Sequence, residues 1–235
     1  MKFEIIKKPT ILLLVLTTYC WISCKETKPV ESKAFTMFNE GVTFSLQAAE
    51  ERNKENFEKS KELHHKAIDM FLKTMAIDST HKAAPSALGH SYYMIRDFKN
   101  GTKWYKKAIQ MDTTFVANYL ELGLCQINDG DFKNGSAAIN KAVDIDPSQE
   151  TVDQAVNSLI DISKRAIDFG LEYKQEGDTE RHLAYTQFAI SVLKMAHQLA
   201  PLNREVMVLI ADFSEAIGDT ETATTFMIKF DQTPE

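Results

Sequence analysis

Six histidines, three cysteines and 33 carboxylates are the side chains of this 235-residue sequence that could ligate a metal or perform acid–base or nucleophilic chemistry. Their spacing argues against each use. His64 and His65 are adjacent, so on a helix their side chains diverge by about 100° and cannot close on one ion. His81, His90, His182 and His197 stand alone, and no two histidines are four residues apart. Neither HExxH nor Cys-x-x-Cys occurs, and no GxxxxGK[ST] loop is present to cradle a phosphate. Cys125 sits in an apolar stretch with no base implied beside it, which suits a buried structural thiol better than a nucleophile. The carboxylates fall in charged runs such as Glu50-Glu51-Arg52 and Lys59-Ser60-Lys61-Glu62, the pattern of solvated helix faces. The expectation is a chain that is not an enzyme, with no cofactor and no metal. A net charge of −6 offers no basic face to a phosphate backbone, so nucleic acid is not expected as a partner.

The elements that would hold these residues announce themselves by repetition. Asp97-Phe98-Lys99-Asn100-Gly101 recurs as Asp131-Phe132-Lys133-Asn134-Gly135, 34 residues later. Leu88-Gly89 and Leu122-Gly123 share that interval, as do Ala108-Ile109 and Ala142-Val143. A fixed period of this size marks a solenoid, in which each unit buries its apolar face against its neighbours. No stretch alternates with period two over the length of a strand. The Gly-Asp pairs at 130–131, 177–178 and 218–219 read as turns, with Gly closing one helix and Asp capping the next. Arg96-Asp97 breaks that rule, which puts Arg96 in the left-handed region or implies a different turn. Gly101 and Gly135 lie inside second helices, where they are unfavourable unless backbones approach closely. Gly89 and Gly123 are the opposing surface such an approach would need.

These spacings resemble the tetratricopeptide repeat (TPR), a 34-residue helix–turn–helix unit. The resemblance rests on Pro85, Leu88-Gly89, Tyr92, Gly101 and Tyr105 in one copy, and on Tyr119, Leu122-Gly123, Gly135, Ile139 and Pro147 in the next. Register extends it outward. Asp178 to Ala200 and Asn56 to Asp78 each span 22 residues, against 15 from Asp131 to Asp146, so two second helices are about two turns longer. The reading is an all-α solenoid of about five stacked hairpins over residues 34–232: one long, two standard, one long and one closing.

Such repeats imply a concave groove lined by first helices, where a protein or peptide partner lies. Carried across, the inward positions are Ala83, Ser86, His90, Tyr93 and Met94 in one unit, and Ala117, Leu120, Leu124, Ile127 and Asn128 in the next. His90, Tyr93, Met94, Leu120, Leu124 and Ile127 form the candidate partner-binding patch, apolar with one aromatic ring. The alternative is internal: the long helix of the fourth unit, or the amino-terminal tether, folds back over it. Some members of this family clamp acidic chaperone tails with Lys, Asn and Arg; Ser86, His90, Ala117 and Glu121 occupy those places here, so that clamp is absent.

The amino terminus is of another kind. Lys2, Lys7 and Lys8 precede an uncharged, mostly apolar run from Ile11 to Tyr19, the layout of a signal peptide over residues 1–23. The 15 residues from Pro9 to Ser23 fall short of the ~20 a spanning helix needs, which disfavours a retained anchor. Trp21-Ile22-Ser23-Cys24 resembles a bacterial lipobox, and that resemblance implies cleavage before Cys24 and lipidation of its sulfur. A plain secretory signal with incidental cysteines is the alternative. Lys25-Glu26 lacks the Asp that often retains lipoproteins in the inner membrane, so the implied location is the outer membrane. Residues 24–33 then comprise the lipidated cysteine and a polar tether. Two functions follow as expectations: a lipid-anchored scaffold for a protein or peptide partner, or a receptor for a small ligand or peptide enclosed by the long hairpins.

Overall fold

A computed structural model describes residues 30–234. The expected signal peptide, Cys24 and most of the tether lie outside the described residues. Ten α-helices follow one another, with no strand among the described residues: α1 (Val30–Asn53), α2 (Phe57–Ile77), α3 (Ala84–Met94), α4 (Phe98–Met111), α5 (Val116–Asn128), α6 (Phe132–Ile145), α7 (Gln149–Gln175), α8 (Thr179–Leu199), α9 (Arg204–Ala216) and α10 (Thr220–Gln232). Each helix packs on the next in chain order, and α1, α3, α5 and α7 also touch in succession as one layer. The result is the expected solenoid of five hairpins, with the long pairs first and fourth. Helix α1 begins at Val30, so the end of the segment read as tether is already helical.

The repeated pentapeptide is a capping device. Asp97 and Asp131 each accept a hydrogen bond from the backbone N–H three residues on, at Asn100 (3.1 Å) and Asn134 (3.2 Å). The amide side chain of the same asparagine donates back to the aspartate at 2.7 Å in both copies. Asp178 and Asp219 cap α8 and α10 in the same way. Each such cap satisfies an otherwise orphaned helix-end donor and contributes about 1 kcal/mol. The left-handed turns expected before them are present at Gly130, Gly177 and Gly218, with φ of 86°, 81° and 80°. Arg96 takes the same conformation, with φ of 63°.

The helical glycines mark where backbones meet. A Cβ on Gly135 would lie 2.9 Å from the Gly123 carbonyl oxygen, and one on Gly123 would lie 2.8 Å from the Gly135 oxygen. Helices α5 and α6 therefore cross glycine against glycine, as the spacing required. In the preceding unit Gly89 instead receives the ring of Tyr105, with Cys125 Sγ beside Gly101.

Buried apolar side chains gather into separate clusters. One in α2 and α3 centres on Ala67, Ile68, Phe71, Met75 and Leu88. A larger one draws on α5 to α10, through Leu124, Ile139, Leu159, Leu193, Met207 and Ile210 among others. Tyr105, Leu122, Cys125 and Ala138 form a third, and Tyr93 packs against both the second and the third.

Candidate functional site

The inner layer of the array holds a cavity of about 500 Å³. Its lining comes from six helices and two turns: Arg52 at the last turn of α1, Tyr93 and Met94 at the end of α3, Arg96 in the next turn and Phe98 at the start of α4, Asn128 at the end of α5 with Asp129 and Gly130 in the turn after it, Ile162, Arg165, Ala166 and Phe169 on α7, and Ala184, Tyr185 and Phe188 on α8. Length explains why these meet. Helix α7 runs 27 residues and α8 runs 21, so their extra turns carry Phe169 and Tyr185 past the ends of the standard hairpins. Helix α1, of 24 residues, brings Arg52 from the other side. The two long hairpins thus wall the standard units between them.

Aromatic rings make the walls. Tyr93 meets Phe98 at 5.7 Å between centroids, and Phe169 meets Tyr185 at 6.0 Å. The Arg96 guanidinium stands 4.8 Å from the centre of the Phe169 ring, within cation–π range. Burial pushes the Tyr93 phenol above its ordinary range, and the nearby Arg165 guanidinium opposes that shift. Charge in the cavity is one-sided: Arg52, Arg96 and Arg165 face a lone acid, Asp129. Among the described residues none of the three arginines makes an ion pair. A cavity of this volume, apolar on its walls with a few convergent polar groups, has the dimensions and chemistry of a ligand or side-chain pocket.

Of the six predicted patch residues, Tyr93 and Met94 line this cavity, and so does Asn128 from the wider inward set. His90 is exposed on α3, where the crowded surface around it lowers its imidazole from the usual range by desolvation. Its ring lies 6.4 Å from that of His64. The prediction fails for the other three. Leu120, Leu124 and Ile127 are 4%, 6% and 0% exposed and belong to the same buried cluster as Val156, Leu159 and Ile162 of α7. Helix α5 is covered on most sides, with Leu122, Cys125 and even the polar Asn118 and Gln126 buried as well. The internal alternative, in which the long fourth unit covers the patch, is the one realised for these residues.

Twelve of the fifteen lining residues escaped sequence reasoning, among them Arg52, Arg96, Phe98, Arg165, Phe169, Tyr185 and Phe188. One signal was present. Arg96 occupies the turn position that Gly130 fills 34 residues later, and it stood out only as a broken rule.

The remaining candidate groups are shaped by burial. Burial, with Glu121 and Asp129 adding to it, pushes the Cys125 thiol far up, so almost no thiolate forms near neutrality. Glu121 is itself raised by burial, and Tyr105 Oη donates to its Oε2 at 3.5 Å. Among the described residues, no three His, Cys, Asp or Glu side chains gather closely enough to hold a metal ion. No helix among them is long and apolar enough to cross a membrane.

Comparison with known proteins bears on the fold. Residues 116–149, covering α5, α6 and their flanks, match the tetratricopeptide repeat family. The crystal structure of MamA protein aligns with a TM-score of 0.49 at 18% identity, covering 86% of this chain and 92% of that one. Pseudomonas aeruginosa pilF aligns at 0.41 and 14% identity, over 85% of this chain and 79% of that one. The first TPR of Spaghetti (RPAP3), bound to an HSP90 peptide, aligns at 0.39 and 11% identity over 52% and 91%. No curated protein matches the chain. With one unit carrying the tetratricopeptide pattern and four more hairpins repeating its two-helix plan, the chain is a TPR-like helical array.

Proposed function

We propose that this chain is a lipid-anchored, non-catalytic scaffold that holds a segment of a partner protein or peptide in the cavity between its two long hairpins. The observation that carries this reading is the cavity itself: aromatic walls and three arginines against one acid, Asp129, on the inner layer of a TPR-like array. Such a surface lowers its free energy when something apolar and acidic covers it. Anchoring through Cys24 at the outer membrane rests on the lipobox resemblance. The acidic body would be repelled by an anionic bilayer, which leaves the lipid as the membrane contact.

The cavity also moves the test of partner binding. Leu124, an attractive target in the sequence, is a core residue whose replacement would disturb the fold. A photo-crosslinking amino acid at Tyr185 should give a discrete adduct in intact cells, while the same group at outward-facing Gln110 should not. Adducts identical at both positions, or at neither, would count against the reading. Cys24→Ala should release the chain from the membrane fraction; persistence there refutes the lipid anchor. The second reading, a receptor for a small ligand, is favoured by the enclosure of the cavity between units one and four. It predicts that the purified chain takes up a ligand with no partner protein present.

A further inference from the structure

The choice of basic residue in the cavity is specific. Of the 27 basic residues in the chain, 22 are Lys and 5 are Arg. Three of the five arginines line this one cavity, and no lysine does. Lysine would supply the same charge. Arginine adds a planar fork that grips carboxylate and phosphate through two parallel hydrogen bonds, and a flat face that stacks on rings.

Arg96 strengthens the point because the fold disfavours it. Its φ of 63° belongs to the left-handed region, and the other three such turns that lead into capping aspartates use glycine. Glycine there would relieve the strain. The guanidinium instead lies over Phe169 at the cavity, so the strained backbone sits where a binding group is aimed. Arg165 is half-buried on α7 and reaches Tyr93 across the same space. Arg52 and Arg96 are exposed where they border the cavity and Arg165 is half-buried, with Asp129 the one acid among them, so a net positive charge is left that an anion would neutralise.

We infer that this cavity is an oxyanion site that takes a carboxylate or phosphate carried on a flat aromatic body, either as a free small molecule or as an acidic-aromatic segment of a partner. This deepens the binding reading above and rests on it for biological meaning, though the pocket can be tested alone. The two halves of the ligand match the two halves of the lining: rings against Phe169, Tyr185 and Phe188, and the oxyanion among Arg52, Arg96 and Arg165.

The experiment uses the full chain in nanodiscs of uncharged-headgroup lipid, with empty nanodiscs as background, and equilibrium dialysis of 1-naphthyl phosphate. Saturable binding at one site is expected. 1-Naphthol should bind at least tenfold more weakly, 1-naphthylmethylamine should not compete, and inorganic phosphate alone should compete poorly. Arg165→Gln and Arg96→Gly should each weaken naphthyl phosphate tenfold or more. Arg96→Gly carries the sharper test, because it installs the residue that three of the other four hairpin turns use, Glu55 being the exception. Its thermal midpoint should hold or rise while affinity falls, and a merely structural role for Arg96 cannot produce that opposition. An Asp-Phe-containing peptide that displaces the probe identifies the ligand as a partner segment; failure of the peptide with retention of the probe identifies a free small molecule. Equal binding of naphthol and naphthyl phosphate, or undiminished binding by both variants, overturns the assignment. Loss of the probe with survival of the Tyr185 adduct refutes the oxyanion site and leaves the scaffold standing.

Discussion

Gly135→Ala offers a direct test of how the central hairpin is built. In an ordinary helix interior the change would stabilise by roughly 0.5–1 kcal/mol, because alanine loses less conformational freedom on folding. Here the new methyl would lie 2.6 Å from Ile127 Cγ1, 2.9 Å from the Gly123 carbonyl oxygen and 3.1 Å from the Ile127 nitrogen. The isoleucine could shift its side chain, but the other two atoms are backbone of α5. Relief requires α5 and α6 to part by about half an ångström, and gaps of that size forfeit a quarter or more of each dispersion contact they open. Ile127 and Ile139, both buried at this crossing, would lose contacts together. Overpacking of this kind costs typically 1–3 kcal/mol, so after the propensity gain the net loss is about 1–2 kcal/mol. Urea unfolding followed by circular dichroism at 222 nm would show a lower midpoint at unchanged slope. Gly101→Ala is the matched comparison. Its methyl would meet Cys125 Sγ at 2.8 Å, yet its nearest backbone atom, the Gly89 oxygen, is 3.4 Å away. The loss there should be smaller. If Gly135→Ala unfolds at or above the wild-type midpoint, or Gly101→Ala is the more damaging, the glycine-against-glycine account is wrong.

Three further outcomes follow from buried or bridging groups. Burial, reinforced by His90, Arg52 and His65, lowers His64 to about 4, and the ring is buried with neither nitrogen hydrogen-bonded. Because the folded value lies below the unfolded one, stability is full above about pH 6.5 and falls as pH drops toward 4, by as much as about 3 kcal/mol; His64→Leu should flatten the stability–pH profile in that window. Cys125 should resist a thiol reagent at pH 8 in the native chain and react at once in denaturant, and rapid native labelling would contradict its burial. Arg204 donates to the carbonyls of Phe230 and Thr233 and stacks on the Phe230 ring at 3.8 Å, so Arg204→Ala should cost about 1–2 kcal/mol and raise hydrogen exchange selectively at the end of α10.

Architecture was legible because it is written locally and repeated. The 34-residue interval, the Gly-Asp turns and the extra turns of the first and fourth units can all be counted along the chain, and each has its counterpart in a helix boundary. The candidate cavity was legible only in part. Tyr93 and Met94, named from the sequence, do line it, because their helix position suffices to aim them inward. Leu120, Leu124 and Ile127 were misplaced because their exposure depends on where α7 passes, and nothing within α5 records that. Arg52, Arg165 and Tyr185 are far apart in sequence and meet only through helix length and stacking. Arg96 carried a local trace, a costly residue in a glycine position, and that trace proved to point at the cavity.

The buried clusters centred on Phe71 and on Leu159 lie in different hairpins, while the cavity draws lining from both sides of that divide. The amino-terminal hairpins can therefore loosen as a block without dismantling the carboxyl-terminal ones, because a stacked array opens at its weaker seam. An occupant bound at Arg52 and Arg165 at once would act as a clasp across that seam. Its arrival would be felt as a rise in the protection of α1 and α2, helices that meet it through little more than one guanidinium.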